Sequence, residues 1–173
     1  MSVFLSFLKI SPESLELLRL YPETGKLLFH WDEIENPEHW EPIVKVIVSK
    51  QGVANLKPVH SQIPQLIREL QGQSAESLKD AIWFLPEEFE TVATSEEIKY
   101  LVSIGSQGHR FVHIDSYTTY WTTEEVSRIA GIISRVKNPY SEAYTEIHED
   151  EVDPFTYIID TAKNGYAMLL TVC

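Results

Sequence analysis

The chain contains a single cysteine, Cys173, at its last position. One thiol cannot form an internal disulfide or a multi-cysteine zinc site, so the fold depends on neither an oxidising compartment nor a cysteine-bound metal. With 173 residues the chain is long enough to bury a sizeable core, and we expect one domain over residues 1–173. Cys173 is either a reactive thiol or a small apolar residue at a strand end.

Long hydrophobic runs are also missing. No stretch of the sequence approaches the roughly 18 apolar residues that a transmembrane helix needs. The apolar start at residues 1–10 lacks the basic flank and the small-residue cleavage site of a signal peptide. We therefore expect a cytoplasmic protein.

Motifs that activate a nucleophile or bind a nucleotide are absent from the sequence. It has no Gly-x-Ser-x-Gly elbow, no phosphate-binding glycine loop and no dinucleotide fingerprint. The glycines and prolines are scattered singly, which is typical of one compact unit. We predict no cofactor and identify no catalytic motif.

Basic residues are few. Against 26 aspartates and glutamates there are 14 lysines and arginines, and the net charge is −12. Such a chain repels nucleic-acid phosphates and anionic lipid headgroups, so neither nucleic acid nor a membrane is expected as a partner. A basic protein or a second copy of the chain remains compatible with this charge.

Many of the acidic residues cluster between positions 142 and 153: Glu142, Glu146, Glu149, Asp150, Glu151 and Asp153. A calcium loop needs a glycine at its sharp turn, and this stretch has none. We interpret it as a solvated loop or helix end, with a patch for a basic partner as the alternative.

Both ends of the chain have the pattern of strands. Residues 3–10 are apolar and aromatic-rich, and residues 166–172 are apolar throughout, which predicts a central strand. Residues 110–114 indicate a further strand or extended segment, and 26–31 are ambiguous. Since the middle is mostly helical, we predict an α+β domain. Its small mixed or antiparallel sheet contains both terminal strands and one or two internal ones, packed with several helices.

Helices are predicted from caps and apolar spacing at residues 12–21, 37–48, 60–70, 74–85, 94–102, 122–138 and 153–163. The segment 43–48 fits a strand equally well. Two helices begin with a capping box, at Thr94 and at Thr122. Asp153 followed by proline is a typical start for the last one.

Two segments resemble the YfbM-like family of small bacterial proteins, which are built around a domain of unknown function. Residues 120–130, Tyr-Trp-Thr-Thr-Glu-Glu-Val-Ser-Arg-Ile-Ala, are similar to that family's helix start, and residues 155–172 to its closing helix, turn and apolar strand. Of the family's central Asp-Lys-x-Trp segment, residues 37–40 keep only the tryptophan. The resemblance implies an α+β fold and a bacterial cytosolic setting, and it supplies no catalytic residues.

His109, His113 and Asp115 are the candidates for chemistry. On a helix the two histidines lie on one face, and in a strand all three share one side, so either structure brings them together. Because Gly108 suggests a turn and no His-Glu-x-x-His motif is present, they are either a metal or acid–base site or ordinary hydrogen-bonded surface histidines.

The aromatic residues Tyr117, Tyr120 and Trp121 are candidates for binding. They lie in a polar, Ser/Thr-rich segment and either line a groove or pack in the core and its rim.

The leading hypothesis is a non-enzymatic binding or protein-interaction domain, of accessory or immunity type, that masks a basic partner. The alternative is a small enzyme or metal-binding protein that uses His109, His113 and Asp115. A third possibility is a homo-oligomer whose aromatic segment forms the interface.

Overall fold

The computed structural model describes residues 4–20, 56–78, 89–105, 107–111, 118–136 and 152–172. Several predicted segments lie outside these residues. They are the ambiguous segment 26–31, the helix at 37–48, most of the acidic stretch 142–153 and the terminal Cys173.

One antiparallel sheet forms the centre of the described part. Its five strands are β1 (Phe4–Ile10), β2 (Ala75–Leu78), β3 (His109–Arg110), β4 (Thr118–Trp121) and β5 (Ala167–Val172). Their spatial order is β2-β1-β5-β4-β3, and all neighbouring pairs are antiparallel. The first and last strands therefore pair directly, which confirms the α+β fold with both terminal strands in one sheet. The described part has three internal strands, where the sequence predicts one or two.

Five α-helices are described: α1 (Pro12–Leu20), α2 (Leu56–Leu70), α3 (Ser95–Tyr100), α4 (Thr123–Ile133) and α5 (Pro154–Lys163). The capping boxes at Thr94 and Thr122 are both present, and Asp153 caps α5 through its carboxylate. These three predicted helix starts are confirmed. Among the described helices, none has the length and apolar character that crossing a membrane requires.

The main core lies between one face of the sheet and helices α4 and α5. Leu5 and Phe7 of β1 point to this face because they alternate with residues of the other side. The two helices contribute the buried positions that their apolar spacing predicts: Val126, Ile129, Ile133, Phe155 and Ile158. Burying each such side chain stabilises the fold by roughly 1.5–3 kcal/mol.

Helices α1 and α2 cover the opposite face, and a polar network ties them together. The backbone N–H of Ser11 donates to Oε2 of Glu69 at 2.9 Å. Gln65 Nε2 donates to Oε1 of Glu69 at 2.9 Å and to the Ser11 hydroxyl at 3.2 Å. The Glu69 carboxylate thus lies at the N-terminus of α1, where a negative charge is favoured by the helix dipole.

The Tyr157 hydroxyl of α5 joins β1 to the chain that leads into β2. It accepts the backbone N–H of Lys9 at 2.9 Å and donates to the Gln73 carbonyl at 3.0 Å. The β1–β2 pairing ends with Phe7 opposite Ala75, so the same register would place Lys9 opposite Gln73. The hydroxyl therefore bridges the two chains where their direct pairing stops.

The helix predicted at residues 74–85 is wrong at its start, because Ala75–Leu78 forms β2; residues 79–88 lie outside the described part. Ala, Leu and Glu favour helix, but such propensity is a weak preference that tertiary contacts override. Here the free edge of β1 provides backbone partners for the whole segment. Residues 118–121 form β4, which is not among the strands predicted from the sequence. They pair with β5 on one side and β3 on the other.

Two helix ends also differ from the prediction. Helix α4 ends at Ile133 rather than near Val136, because the last N–H groups bond to carbonyls three residues back and tighten the chain. Val136 still packs against the core. Helix α3 ends at Tyr100 and the chain continues as a π-helical turn over Leu101–Gly105, where the sequence predicts one helix up to residue 102.

Candidate functional site

His109 lies in β3, at the edge of the sheet. The β3–β4 register places it opposite Tyr120, and the two rings pack with their centroids 5.2 Å apart. The imidazole is 39% exposed, and its Nε2 lies 2.5 Å from Oε1 of Glu125, which is 18% exposed. The contact forms because α4 begins directly after β4, so the first turn of α4 lies beside the neighbouring strand β3.

Both carboxylate oxygens of Glu125 have a partner. Oε2 accepts the backbone N–H of Thr122 at 2.8 Å and so completes the cap of α4, while Oε1 contacts His109. When Glu125 is ionised, the neutral imidazole carries its proton on Nε2 and leaves Nδ1 as an acceptor. The carboxylate therefore fixes the histidine tautomer and links the helix cap to the edge strand.

Tyr100 and Arg128 belong to the same region. The Arg128 guanidinium lies 3.9 Å from the centroid of the Tyr100 ring, a distance at which the cation is attracted to the ring face. Burial, and then the negative charge of Glu125, raise the pKa of the Tyr100 hydroxyl, while Arg128 lowers it. Tyr100 thus remains protonated near neutral pH. We refer to Tyr100, His109, Glu125 and Arg128 as the His109 cluster.

The His109 cluster combines groups that differ in what they can do. The Nδ1 atom of His109 can accept a proton or ligate a metal, and a carboxylate on the other ring nitrogen is the usual way of orienting such a ligand. Tyr100 offers a neutral hydroxyl donor. Arg128 supplies a permanent positive charge. These groups are compatible with acid–base chemistry, but each also has a structural partner.

Of the three predicted aromatic residues, the structure describes Tyr120 and Trp121, and both are buried. Trp121 is 0% exposed, packs in the core against Phe7, and donates its indole N–H to the Ile104 carbonyl at 2.9 Å. Tyr120 is also buried; its ring contacts Phe111, and the guanidinium of Arg19 lies 5.7 Å from its centroid. Trp121 is therefore part of the core, and the structure favours the packing alternative for it.

The remaining predicted site residues, His113, Asp115 and Tyr117, lie outside the described residues. Within the described ranges, no group of three or more histidine, cysteine, aspartate or glutamate side chains is placed to hold a metal ion. Of the predicted triad, the structure thus places His109 alone, and its carboxylate neighbour is Glu125 rather than a residue of the triad.

Sequence reasoning identifies Glu125 as a helix cap and misses its contact with His109. The two residues are 16 positions apart, and they meet only because β3 and β4 are paired. Tyr100 and Arg128 have no motif that would single them out.

Comparison with known proteins adds no relative. No family model matches the chain, and neither the curated proteins nor the solved structures include a significant match.

Proposed function

We propose that this protein is a non-enzymatic interaction domain that binds a basic protein partner through its acidic residues. The observation that carries the proposal is the net charge of −12, with 26 acidic against 14 basic residues. A surface of one sign attracts partners of the opposite sign and accelerates their association. The proposed kinship with the YfbM-like family is compatible with this role, because that family supplies no catalytic residues.

The distribution of acidic residues supports the proposal in two ways. Within the described part, acidic side chains are exposed on four helices and on β2. They are Glu13, Glu16, Glu76, Glu96, Glu124 and Asp160, among others. In the sequence, the densest acidic stretch is 142–153. Its other titratable residues are Tyr144 and His148. This stretch is the part of the chain that we expect to contact the partner.

The contacts of the Glu125 carboxylate support a structural rather than a catalytic role for the His109 cluster. Its two oxygens are engaged by the cap of α4 and by His109. A carboxylate that holds a helix start in place gains little from changing its protonation state during a reaction, because the cap would weaken with it.

A capture experiment with two charge variants tests the proposal. The first variant neutralises five acidic residues of the proposed contact: Glu142→Gln, Glu146→Gln, Glu149→Gln, Asp150→Asn and Glu151→Gln. The control neutralises five exposed acidic residues elsewhere: Glu13→Gln, Glu16→Gln, Glu76→Gln, Glu96→Gln and Glu124→Gln. Both variants lose the same charge, so they separate a defined contact from a general charge effect.

We expect the immobilised protein to capture a basic protein from an extract of the cells that encode it, at about 0.05 M salt but not at about 0.5 M. The captured protein should be lost with the first variant and kept with the control. Equal loss with both variants would indicate unspecific attraction, and capture that ignores salt would contradict the electrostatic basis. Either result would reject the proposal.

A second candidate, a metal or acid–base site at His109, rests on the 2.5 Å contact between its Nε2 and Glu125. Residues His113 and Asp115 would complete the ligand set. If this candidate is correct, zinc or manganese should raise the melting temperature of the wild type and leave the melting temperature of His109→Gln unchanged. Elemental analysis without bound metal, together with no shift in either protein, would remove it.

A further inference from the structure

A pocket of about 320 Å³ lies at one end of the sheet, between β1 and the C-terminal half of α2. Its walls are Leu8, Lys9, Gln65, Arg68, Glu69, Gly72, Gln73 and Tyr166. The volume is within the range of pockets that hold small molecules. Leu8 and Tyr166 give it apolar surface, and the other side chains are polar or charged.

The polar groups of the pocket fall into two classes. Glu69 and Gln65 are held by the network that ties α1 to α2, so their hydrogen-bonding groups already have partners. Arg68 is different: within the described part of the chain its guanidinium has no hydrogen bond or ion pair. Within the same part of the chain, the ammonium group of Lys9 also has no hydrogen bond or ion pair. Its nitrogen lies 5.9 Å from the centroid of the Tyr157 ring of α5.

Gly72 keeps this end of α2 close to the rest of the pocket wall. A Cβ atom at position 72 would lie 2.9 Å from the backbone oxygen of Glu69 and 3.8 Å from Cδ1 of Leu8. Because the first distance is too short for a real contact, a side chain here would push the turn away from the helix end. The pocket wall thus depends on a residue without a side chain.

We propose that this pocket binds a small organic anion, a carboxylate or a phosphate monoester with an apolar body. Arg68 would hold the oxyanion, since a guanidinium donates two parallel hydrogen bonds to such a group. Leu8 and Tyr166 would contact the carbon skeleton. Among the residues that line the pocket, Glu69 alone is acidic, and its carboxylate oxygens accept hydrogen bonds from Ser11 and Gln65. Acidic groups more than about 10 Å away are largely screened at physiological salt.

The test uses three probes of similar size: benzoate, phenyl phosphate and the uncharged benzamide. We expect at least one of the two anions to bind, with shifts of the amide NMR signals of Leu8, Gly72 and Tyr166. Benzamide should bind at least about tenfold more weakly, because it lacks the charge. Whichever anion binds more tightly indicates whether the natural oxyanion is a carboxylate or a phosphate.

Variants then locate the binding groups. Arg68→Gln should weaken binding of the anion by about tenfold or more. The Arg68 side chain is exposed, so the change should not affect folding. The matched control is Lys163→Gln, which removes an exposed cation of α5 that is paired with Asp160, and binding should be unchanged. The proposal is overturned if neither anion binds, if benzamide binds equally well, or if Arg68→Gln and Lys163→Gln have the same effect.

Discussion

Replacing Tyr157 with phenylalanine tests the bridge between α5 and the edge of the sheet. The change keeps the ring, which is 9% exposed and packs in the main core. It removes the hydroxyl that accepts the Lys9 N–H at 2.9 Å and donates to the Gln73 carbonyl at 3.0 Å. The effect on stability therefore isolates two hydrogen bonds from the packing of the ring.

The expected loss of stability depends on whether the Lys9 N–H and the Gln73 carbonyl find other hydrogen-bond partners in the variant. An N–H or C=O left unpaired in a buried place costs about 1–3 kcal/mol. Both hydrogen bonds are partly buried rather than fully buried, so water can replace part of what is lost. We expect the free energy of unfolding to fall by about 1–2 kcal/mol, which corresponds to a drop of about 2–8 °C in melting temperature for a chain of this size.

Urea denaturation of the wild type, Tyr157→Phe and Tyr166→Phe measures this loss. Tyr166 is the control because its hydroxyl makes no hydrogen bond within the described residues. Tyr166→Phe should therefore have little effect, and the dependence on urea concentration should be the same for all three proteins. If the two variants are equally stable, the hydroxyl of Tyr157 contributes nothing and the bridge is not a source of stability.

The same hydroxyl also gives the fold a dependence on alkaline pH. Burial raises the pKa of Tyr157, and the hydrogen bond from Lys9 opposes the rise only in part. Since the folded state holds this proton more tightly than the unfolded state, the contribution to stability is complete below about pH 10 and is lost as the pH rises further. We expect the stability difference between the wild type and Tyr157→Phe to shrink above pH 10. A difference that stays constant would contradict this explanation.

Two further predictions concern single positions. Gly108 and Gly165 both have positive φ, at 59° and 69°, so alanine at either should cost about 1 kcal/mol. A Cβ at Gly108 would also lie 2.6 Å from Oγ1 of Thr119, while none of the described atoms is near it at Gly165. Thermal melting should therefore show Gly108→Ala to be clearly the less stable variant, and equal stabilities would argue against the clash. Hydrogen bonds from the backbone N–H of Thr94 and from Arg135 lower the pKa of Glu97, so its contribution is present above about pH 4.5 and lost on acidification. Glu97→Gln should reduce the fall in stability between pH 6 and pH 3, and an unchanged acid profile would refute this.

The sequence predicts the parts of this fold that depend on local chemistry. The starts of α3, α4 and α5 follow from Thr94, Thr122 and Asp153, because a cap is decided by a few neighbouring residues. The central position of β5 follows from its apolar sequence, since a strand buried on both sides has no polar face. These features need no knowledge of distant parts of the chain.

The parts that the sequence misses depend on pairing between distant segments. Residues 75–78 have the composition of a helix start, and they form a strand because the edge of β1 is available to them. Likewise the His109 cluster exists because β3 pairs with β4, which brings the start of α4 beside β3. Composition and spacing contain no information about which strands become neighbours, so the partner of His109 could not be predicted.

The two proposed sites bind ligands of opposite charge, so substitutions that change the charge of one site can test it separately from the other. Arg68→Gln removes a positive charge, so it should weaken binding of the anionic probes by about tenfold or more while leaving capture of a basic protein equal or slightly stronger. The variant with five neutralised acidic residues in 142–151 should do the reverse: it should lose the basic protein and keep the anion, since the pocket groups are unchanged. Parallel binding measurements on these two proteins are sufficient. If Arg68→Gln weakened both activities, the two sites could not be independent, because the loss of a cation cannot weaken attraction to a basic partner unless that partner is bound through the pocket.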